Sequence, residues 1–382
     1  MARYGTPEKL IETATEILPA IRDGAEASEN LGQICKPVLQ ALFDRRLFRL
    51  FIPRELDGEE IDLVSALRVF ELLSTADGAT GWTVMIGAGA GLFAGFLDRA
   101  AAADVFLAEN AVVAGSGAAT GTARKRETGY EVSGRWAYAS GAHHATWFSA
   151  NCVVEDPARS KSKDGSASIR SVAVPAAHVR VHETWSVLGM RGTGSEDFEI
   201  ADRFVPASHT FSVTDDAPKA SGPLYRFPFR AISELSFASV SLGIARHALD
   251  DFRDLSVRKR PIGVTTLLAE DSDVQARVAR AEAAVCSARS YVYDLAAEAW
   301  GKVLRGDSVP PREQIRIRLA AVDTTQRCAK AVDLLYQRAG MTPLFSSSSL
   351  GRAWRDVHAV TQNVIVSAGL YVDVGRALLE HS

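Results

Sequence analysis

Apolar residues recur at helical spacing in the first and the last third of the chain. From about residue 6 to residue 108 the sequence is rich in Ala, Leu, Glu and Arg, and Thr6-Pro7 forms a helix cap followed by a first-turn proline. After about Pro228, one stretch places apolar residues at alternating steps of three and four, which is typical of a helix packed on other helices. Its members are Val274, Val278, Ala281, Val285, Ala288, Val292, Leu295 and Ala299. Both ends of the chain are therefore predicted to be helical.

The C-terminal third contains two interruptions. Ser308-Val309-Pro310-Pro311 marks the start of one helix, and residues 340–349 form a break. We expect one final helix from about Gly351. Its apolar face consists of Val357, Val360, Val364, Ala368, Tyr371, Gly375 and Leu378.

The pattern changes near Ala111, where β-branched and aromatic residues begin to alternate with polar ones. Strands are expected over residues 130–138, 147–154, 169–174, 178–182 and 198–205. A polar segment at residues 159–165 joins two of them, and we interpret it as a solvated hairpin loop. The middle of the chain is therefore predicted to be β.

The segments follow one another as helices, then strands, then helices. This order favours the α+β class over alternating βα units. We predict three domains: a helical domain at residues 1–109, a β domain at residues 110–224 and a second helical domain at residues 225–382.

Composition and charge narrow the range of functions. The 382 residues include 43 basic and 46 acidic side chains, a net charge of −3, so neither nucleic acid nor an anionic membrane is an expected partner. The four cysteines lie far apart and form no metal or disulfide pattern. No signal peptide and no apolar run of the ~20 residues that span a membrane is visible. We expect a cytoplasmic protein without a metal that acts on a small molecule.

Two glycine-rich runs resemble dinucleotide fingerprints only superficially. Gly87-Ala88-Gly89-Ala90-Gly91 follows no strand, and its third glycine stands at the wrong step. Gly115-Ser116-Gly117 opens a β region, with no helix behind it to receive a pyrophosphate. Close packing of helices is the better interpretation of the first run.

Two other segments indicate a particular chemistry. At residues 134–147, a strand that contains Trp136 ends in a small-residue turn at Ser140-Gly141. Such a turn exposes backbone amides and a hydroxyl beside a flat indole, which suits an isoalloxazine ring that needs apolar stacking and a few donors near N5. A β-hairpin with a core tryptophan is the alternative. The second segment, residues 185–206, is glycine-rich and on its own is also consistent with a simple loop.

Taken together, the two segments resemble the acyl-CoA dehydrogenase superfamily. Residues 189–195 fit the family pattern G-x-R-x-(S/T)-x-(S/T), and a strand that ends in Val205-Pro206 follows. Residues 51–58 are similar to the family's V-P-x-E-x-G-G turn, and residues 354–356 to its R-D element. The resemblance covers nearly the whole chain. It implies a β-barrel or sandwich as the middle domain and a four-helix bundle as the C-terminal domain.

The resemblance also implies a cofactor and an assembly. Family members form homotetramers, or dimers of dimers, that bind FAD or FMN between the β domain and the C-terminal bundle. By this resemblance Trp136 and Ser140 border the flavin ring, and Thr193 and Ser195 face the same cavity.

A further part of the resemblance concerns the neighbouring subunit. Arg258 or Arg260 is similar to the arginine that reaches a neighbour's FAD, and the choice between the two stays open. Gln337 and Gly340 lie where the family's Q-x-x-G-G loop approaches the cofactor of the neighbour.

A dehydrogenase of this family needs a carboxylate that removes the α-proton of the substrate while hydride passes to flavin N5. Most members supply it from a glutamate beyond the R-D element, but residues 357–365 contain no glutamate. Some members place their base on an earlier helix, where Glu234 is the available carboxylate. A helix-capping or surface carboxylate is the alternative interpretation of Glu234.

The Trp-x-Tyr-x-Ser-Gly-x-x-His segment and the 189–195 segment look more like the oxygenase components of two-component flavin monooxygenases. Those enzymes take reduced flavin from a separate reductase, react it with O₂ to a C4a-hydroperoxyflavin and oxygenate an aromatic or other electron-rich substrate. They need no α-proton base. They need a hydroxyl near N5 and an imidazole that exchanges a proton.

Ser140 is our candidate for that hydroxyl, and His358 is our candidate for the imidazole. His143 and His144, which follow Ser140 closely, compete with His358. In this branch a histidine often lies a few residues beyond position 358, where this chain has Asn363 or Gln362.

The substrate pocket is assigned to Trp82, His143 and Asn363, with a purely structural tryptophan as the alternative for Trp82. The leading hypothesis is a reduced-flavin-dependent monooxygenase that hydroxylates a small aromatic or heteroaromatic compound. An acyl-CoA dehydrogenase or oxidase is the alternative, and a cofactor-free scaffold is the third possibility.

Overall fold

The computed structural model describes residues 5–156 and 168–380. The loop expected at residues 159–165 lies outside the described residues. Helices occupy both ends of the described chain and strands its middle, which confirms the α+β class. The α-helices are α1 (Pro7–Glu16), α2 (Leu18–Leu31), α3 (Lys36–Asp44), α4 (Leu63–Ser74), α5 (Gly78–Ala90), α6 (Arg99–Phe106), α7 (Pro223–Arg226), α8 (Phe229–Ser256), α9 (Ser272–Leu304), α10 (Pro311–Tyr336), α11 (Ser349–Thr361) and α12 (Leu370–Glu380).

The strands form one seven-stranded sheet with the order β5-β6-β2-β1-β3-β4-β7. Their bounds are β1 (Val113–Arg126), β2 (Gly129–Ala139), β3 (Trp147–Glu155), β4 (Ile169–Pro175), β5 (Arg180–His182), β6 (Glu196–Pro206) and β7 (Thr210–Phe211). β1 and β3 run parallel, and the other neighbouring pairs run antiparallel. The described strands thus make a single sheet, without the second sheet that a sandwich requires.

The five expected strands correspond to β2, β3, β4, β5 and β6, so these predictions are confirmed. The expected β5 was too long, because a 3₁₀ turn at Ala176–His178 precedes it. The long strand β1 had not been predicted as an element. It lies at the centre of the sheet, between β2 and β3.

Side-chain caps fix where several of the helices begin, among them α1, α4 and α5. Thr6 accepts a hydrogen bond from the Lys9 amide at the start of α1, as the sequence indicated. Asp77 Oδ2 accepts one from the Thr80 amide at 2.8 Å at the start of α5, and Asp62 caps α4 in the same way. Each such cap stabilises its helix by about 1 kcal/mol. The Asp77 cap therefore fixes the start of the helix that carries Trp82.

Helices from both ends of the chain share one apolar core. α8 packs against α4 and α5 from the N-terminal segment and against α9, α10 and α11 from the C-terminal segment. Phe70 on α4 and Leu242 on α8 are both fully buried in this core. The sheet has a core of its own, in which Trp136, Phe148 and Phe198 are buried. The site described below lies where these two cores meet.

The expected single final helix is wrong, because α11 ends at Thr361 and α12 begins at Leu370. Between them the side chain of Asn363 accepts a hydrogen bond from the Ile365 amide at 2.9 Å. An asparagine that bonds the backbone two residues ahead favours a turn over a continued helix. The apolar residues before and after this turn happen to keep helical spacing, so the sequence pattern did not reveal the interruption.

Two of the three glycines in the run Gly87–Gly91 serve close packing, as predicted, while Gly89 has open space around it. A Cβ atom at Gly87 would lie 2.7 Å from the Phe48 ring, and one at Gly91 would lie 2.9 Å from the Ile52 amide nitrogen. Within the described residues, we found no helix with the length and apolar character that crossing a membrane requires.

Candidate active site

A tight turn at the end of β2 places Ser140 at the junction of sheet and helices. The Ser140 amide donates to the Tyr138 carbonyl at 3.1 Å, and Gly141 adopts a φ of +78°, which glycine tolerates without strain. The Gly141 amide donates to the Thr193 carbonyl at 2.8 Å. This bond ties the turn to the glycine-rich segment, which we call the 189–195 loop.

The 189–195 loop is folded around one carbonyl group. The carbonyl of Met190 accepts hydrogen bonds from the Thr193 hydroxyl at 2.8 Å, the Thr193 amide at 3.1 Å and the Trp185 indole at 3.0 Å. Met190 and Gly194 both have left-handed backbone conformations, with φ of +57° and +52°. This turn presents the Thr193 and Ser195 hydroxyls to Ser140.

Three buried hydroxyls and one indole form a continuous chain of hydrogen bonds. Ser140 Oγ lies 2.9 Å from Trp82 Nε1 and 2.8 Å from Ser195 Oγ. Ser195 Oγ lies 2.6 Å from Thr193 Oγ1. The structure thus brings together four of the residues that the sequence had singled out, namely Trp82, Ser140, Thr193 and Ser195.

The direction of this chain follows from its two ends. The Trp82 indole can only donate, and the Met190 carbonyl can only accept. The Thr193 proton therefore goes to Met190, the Ser195 proton to Thr193, and the Ser140 proton to Ser195. In this state the Ser140 hydroxyl keeps one free lone pair and no free proton.

The aromatic side chains of β2 differ sharply in exposure. Trp136 is fully buried, stacks on Phe198 with ring centroids 5.2 Å apart, and donates through Nε1 to the Asn151 carbonyl. Tyr138 is 72% exposed, has a φ of +69° and meets the Trp185 ring edge-on. Of the two, Tyr138 is the one that offers an aromatic face to a ligand.

An apolar wall closes the other side of the hydroxyl chain. The Trp82 ring contacts the Phe237 ring edge-on at a centroid distance of 4.7 Å, and both side chains are buried. Phe237 lies on α8, so the helical core meets the sheet at this point. The sequence had not singled out Phe237.

The two histidines that follow Ser140 have different surroundings. His143 is partly exposed, and its Nε2 lies 3.1 Å from Glu196 Oε1. His144 packs near Phe48, and burial lowers the pKa of its imidazole to about 4. The Nε2 atom of His144 is buried and has no hydrogen-bond partner among the described residues. His144 is therefore neutral at pH 7, and His143 is the more exposed of the two histidines.

Glu196 is the carboxylate that follows Ser195 directly, and it is already engaged. Its Oε2 accepts hydrogen bonds from the backbone amides of Thr184 and Trp185, at 2.5 and 2.8 Å, while Oε1 faces His143. Both carboxylate oxygens of Glu196 are thus occupied by contacts within the protein.

His358 faces away from the hydroxyl chain. Its Nε2 lies 2.9 Å from Asp333 on α10, and its ring packs on Trp354. Asp356, two residues earlier on α11, instead contacts the 189–195 loop through the Met190 amide. Residues two apart on a helix lie about 200° apart around its axis, so these two side chains point in opposite directions.

The residues assigned to the neighbouring cofactor lie together in two linked loops. Arg258 and Arg260 follow α8 and are exposed, and Gln337 and Gly340 follow α10 and are exposed. Lys259, which the sequence had not singled out, joins the loops by donating to the Ala339 carbonyl and the Thr342 hydroxyl at 2.5 and 2.7 Å.

Glu234 is not poised as a base. It is 1% exposed, and its Oε1 accepts hydrogen bonds from Arg230 and Arg318 at 3.0 and 2.7 Å. Asn363 lies in the turn between α11 and α12, where its side chain holds the Ile365 amide.

Comparison with known proteins gives consistent results. Residues 235–368 match the family described as "Acyl-CoA dehydrogenase, C-terminal domain". Indole-3-acetate monooxygenase of Pseudomonas putida is 28% identical over 94% of this chain and 91% of its own. The oxygenase subunit HsaA of a flavin-dependent monooxygenase from Rhodococcus jostii is 28% identical over 90% of this chain and 91% of its own.

Solved structures agree with these relatives. The 3-HSA hydroxylase from Rhodococcus sp. RHA1 superposes with a TM-score of 0.89 at 26% identity, covering 97% of this chain and 96% of that one. XiaF from Streptomyces sp., in complex with FADH₂ and glycerol, has a TM-score of 0.88 at 25% identity, covering 96% of this chain and 94% of that one.

The fold, the site and these matches confirm the resemblance to the acyl-CoA dehydrogenase superfamily, and the relatives named above are flavin-dependent oxidoreductases. Within the superfamily the chain is similar to the oxygenase components of two-component flavin monooxygenases, as the motifs indicated.

Proposed function

We propose that this protein is a reduced-flavin-dependent monooxygenase that hydroxylates a small aromatic or heteroaromatic compound. One observation carries the proposal: in the part of the chain that the structure describes, the two candidate carboxylates for a base, Glu196 and Glu234, are both engaged. Glu196 is held by two amides and His143, and Glu234 by two arginines. Hydroxyl donors without a base suit oxygen transfer better than α-proton abstraction.

The residues present fit a bound flavin. A flat ring needs an aromatic or apolar face and a few directed donors. Tyr138 offers an exposed ring next to Trp185, and Leu188 is 84% exposed in the same segment. We propose that Tyr138, in place of the buried Trp136, borders the ring. The flavin, when bound and reduced, supplies the activation of O₂.

The hydroxyl chain can provide a hydrogen-bond donor to a ligand if its hydrogen bonds reverse direction. If the Ser140 proton turns to a ligand, the Ser195 proton turns to Ser140 and the Thr193 proton to Ser195. The Met190 carbonyl then still accepts from the Trp185 indole and the Thr193 amide. The reversal therefore leaves no buried polar atom without a partner, which keeps its cost low.

The imidazole of the reaction is proposed to be His143. It lies three residues from Ser140, it is reachable by solvent, and Glu196 orients its ring. His358 is the candidate from the sequence motif. Its contacts with Asp333 and Trp354 support a structural role.

We further propose the cofactor, its delivery and the assembly of the protein. The cofactor is FAD or FMN, delivered in the reduced form by a separate reductase, and O₂ is the co-substrate. We propose a homotetramer in which Arg258 or Arg260, with Gln337 and Gly340, reaches the cofactor of a neighbour. On the sequence pattern we propose the domain limits 109/110 and 224/225 and a cytoplasmic location. On the resemblance we propose a barrel-like middle domain and a C-terminal four-helix bundle.

Oxygen-18 labelling tests the function. Purified protein receives FAD or FMN from a flavin reductase with NADH, under ¹⁸O₂, together with indoles, phenols and thiophenes as candidate substrates. The proposal predicts a product with one ¹⁸O atom. Flavin that stays bound and is reduced by an acyl-CoA, with no labelled product, would instead establish the dehydrogenase alternative.

A further inference from the structure

A buried carboxylate on α11 holds the backbone of the 189–195 loop. Asp356 is 2% exposed, and its Oδ1 accepts a hydrogen bond from the Met190 amide at 2.6 Å. Met190 has a φ of +57°, a conformation that is costly for a residue with a side chain. The contact with Asp356 therefore compensates for strain at the point where the loop turns.

Met190 is also the residue on which the hydroxyl chain ends. Its amide is held by Asp356, and its carbonyl accepts the Thr193 hydroxyl at 2.8 Å. From Thr193 the chain continues through Ser195 to Ser140. One peptide segment thus connects α11 to the proposed donor of the active site.

The surroundings of Asp356 leave its carboxylate little freedom. A Cβ atom at Gly189 would lie 2.2 Å from the Arg355 carbonyl oxygen, so the loop lies directly on the α11 backbone. A Cβ atom at Gly78, on α5, would lie 3.1 Å from Asp356 Oδ2. The contacts are close on both sides, and a shift of Asp356 would be transmitted to the loop.

Charged groups from three elements surround the same carboxylate. Asp77, at the start of α5, lies 3.6 Å from Arg352 Nε on α11. Glu29, on α2, pairs with Arg352 and Arg355. Arg352 is thus shared between Glu29 on α2 and Asp77 at the start of α5, so these ion pairs join the helix of Asp356 to the start of the helix that carries Trp82.

We propose that Asp356 is a positioning residue for the oxygenation reaction. It holds Met190 in the left-handed conformation and so fixes the place and the direction of the Thr193–Ser195–Ser140 chain. It acts through the loop and does not touch the flavin. The inference rests on the proposed function for its kinetic consequence, but its structural part can be measured without any flavin.

The first test uses the ligand-free protein. Hydrogen–deuterium exchange of the peptide that covers residues 186–196 is compared in the wild type, Asp356→Ala, Asp356→Asn and the control Glu234→Gln. Asp356→Ala should exchange about tenfold faster, because the Met190 amide loses its acceptor. Asp356→Asn should stay close to the wild type, because its amide oxygen accepts the same bond. Glu234→Gln changes an equally buried carboxylate outside the loop and should leave the peptide unchanged.

The second test uses reduced flavin and oxygen in a stopped-flow instrument. Asp356→Ala should bind reduced flavin within about threefold of the wild type. Its oxygenated-flavin absorbance should decay faster by on the order of tenfold to a hundredfold, because a displaced donor loses its effect on the reacting group. Asp356→Asn should restore the lifetime.

Three results would overturn the proposal: wild-type exchange of the loop in a folded Asp356→Ala protein, an unchanged lifetime in that protein, or an Asp356→Asn protein as impaired as Asp356→Ala. If Asp356→Ala does not fold, the folding of the double variant Asp356→Ala with Met190→Gly tests the proposal instead. Glycine adopts positive φ without strain and should restore folding, and failure to restore it counts against the proposal. A wild type without the absorbance would contradict the proposed function, while the exchange result would still test Asp356.

Discussion

The indole nitrogen of Trp82 lies 2.9 Å from the Ser140 hydroxyl oxygen, although the two residues are 58 positions apart. This bond joins helix α5 to the end of strand β2. It also helps to set the direction of the hydrogen bonds in the site. Because the indole N–H donates to Ser140, the serine oxygen accepts there and its proton goes to Ser195. A ligand that needs a donor must therefore reverse the chain of hydroxyls, and the variants below follow from this reversal.

Removal of the donor itself should affect the oxygen reaction most strongly. Ser140→Ala should shorten the lifetime of the oxygenated-flavin absorbance about 100-fold, which is the usual effect of losing one directed donor. Stopped-flow absorbance measures the decay. Ser149→Ala, which removes a buried hydroxyl from β3, serves as the control. An unaltered decay in Ser140→Ala would exclude Ser140 from this role.

Thr193→Val tests the direction of the chain. Without the Thr193 hydroxyl, the Ser195 proton has Ser140 as its remaining partner in the chain, and the Ser140 proton is then free for a ligand. We expect Thr193→Val to bind reduced flavin as tightly as the wild type or up to about threefold more tightly, an effect below 1 kcal/mol. Equilibrium titration measures the affinity. A loss of more than tenfold would show that Thr193 contacts the flavin directly.

Two histidine variants separate the candidate imidazoles. His143→Asn should lower the rate of product formation about 100-fold, as expected for the loss of a proton-transfer group. His358→Asn should lower the thermal midpoint through the lost contact with Asp333 and leave the rate within about threefold. Single-turnover product analysis provides the rates. The opposite ranking would return the role to His358, the choice from the motif comparison.

Two aromatic variants test which ring faces the flavin. Tyr138→Ala should raise the dissociation constant of reduced flavin roughly threefold to tenfold, equivalent to about 1 kcal/mol of lost stacking. Trp136→Phe should leave that constant unchanged and lower the free energy of unfolding by about 2 kcal/mol, because Trp136 is buried and bonds the Asn151 carbonyl. If Trp136→Phe weakened flavin binding and Tyr138→Ala did not, the assignment would have to be exchanged.

The buried Asp356 predicts a pH dependence of stability. Burial, and next the charge of Asp77, raise the pKa of this carboxyl to about 7 from an ordinary value of 3.8. The folded state therefore favours the protonated form, and its contribution is complete below about pH 4 and is lost as the pH rises through 7.

Denaturation at several pH values measures this effect. Relative to Asp356→Asn, the wild type should lose on the order of 3 kcal/mol of unfolding free energy between pH 4 and pH 8. The comparison removes the contributions of Glu29, Asp77 and His247, which are present in both proteins. A constant difference across this range would contradict the raised pKa.

The sequence predicted the fold well wherever periodicity was strong. The alternation from Tyr130 to Tyr138 and the apolar stripe from Val274 to Ala299 correspond to β2 and α9. Strand β1 was not predicted, because its segment is rich in Ala, Gly, Ser and Thr and its pairing with β2 and β3 is a long-range property. The single final helix was wrong because the turn at Asn363 does not interrupt the apolar spacing.

The sequence predicted which residues form the site better than it predicted how their side chains are oriented and which of them are in contact. The motifs led to Ser140, Thr193 and Ser195, which the structure joins in one chain. They could not show that Trp136 points into the core, because alternation along a strand does not tell which face is buried. They also could not show the link from Asp356 to Met190, which are 166 residues apart.

One measurement tests the central claim most directly. The purified protein is mixed anaerobically with chemically reduced FAD or FMN and then with oxygen in a stopped-flow instrument. The account predicts a transient oxygenated-flavin absorbance that forms before oxidised flavin and disappears faster when an aromatic substrate is present. Direct conversion to oxidised flavin at the rate of free flavin, together with bleaching of bound flavin by an acyl-CoA, would contradict it.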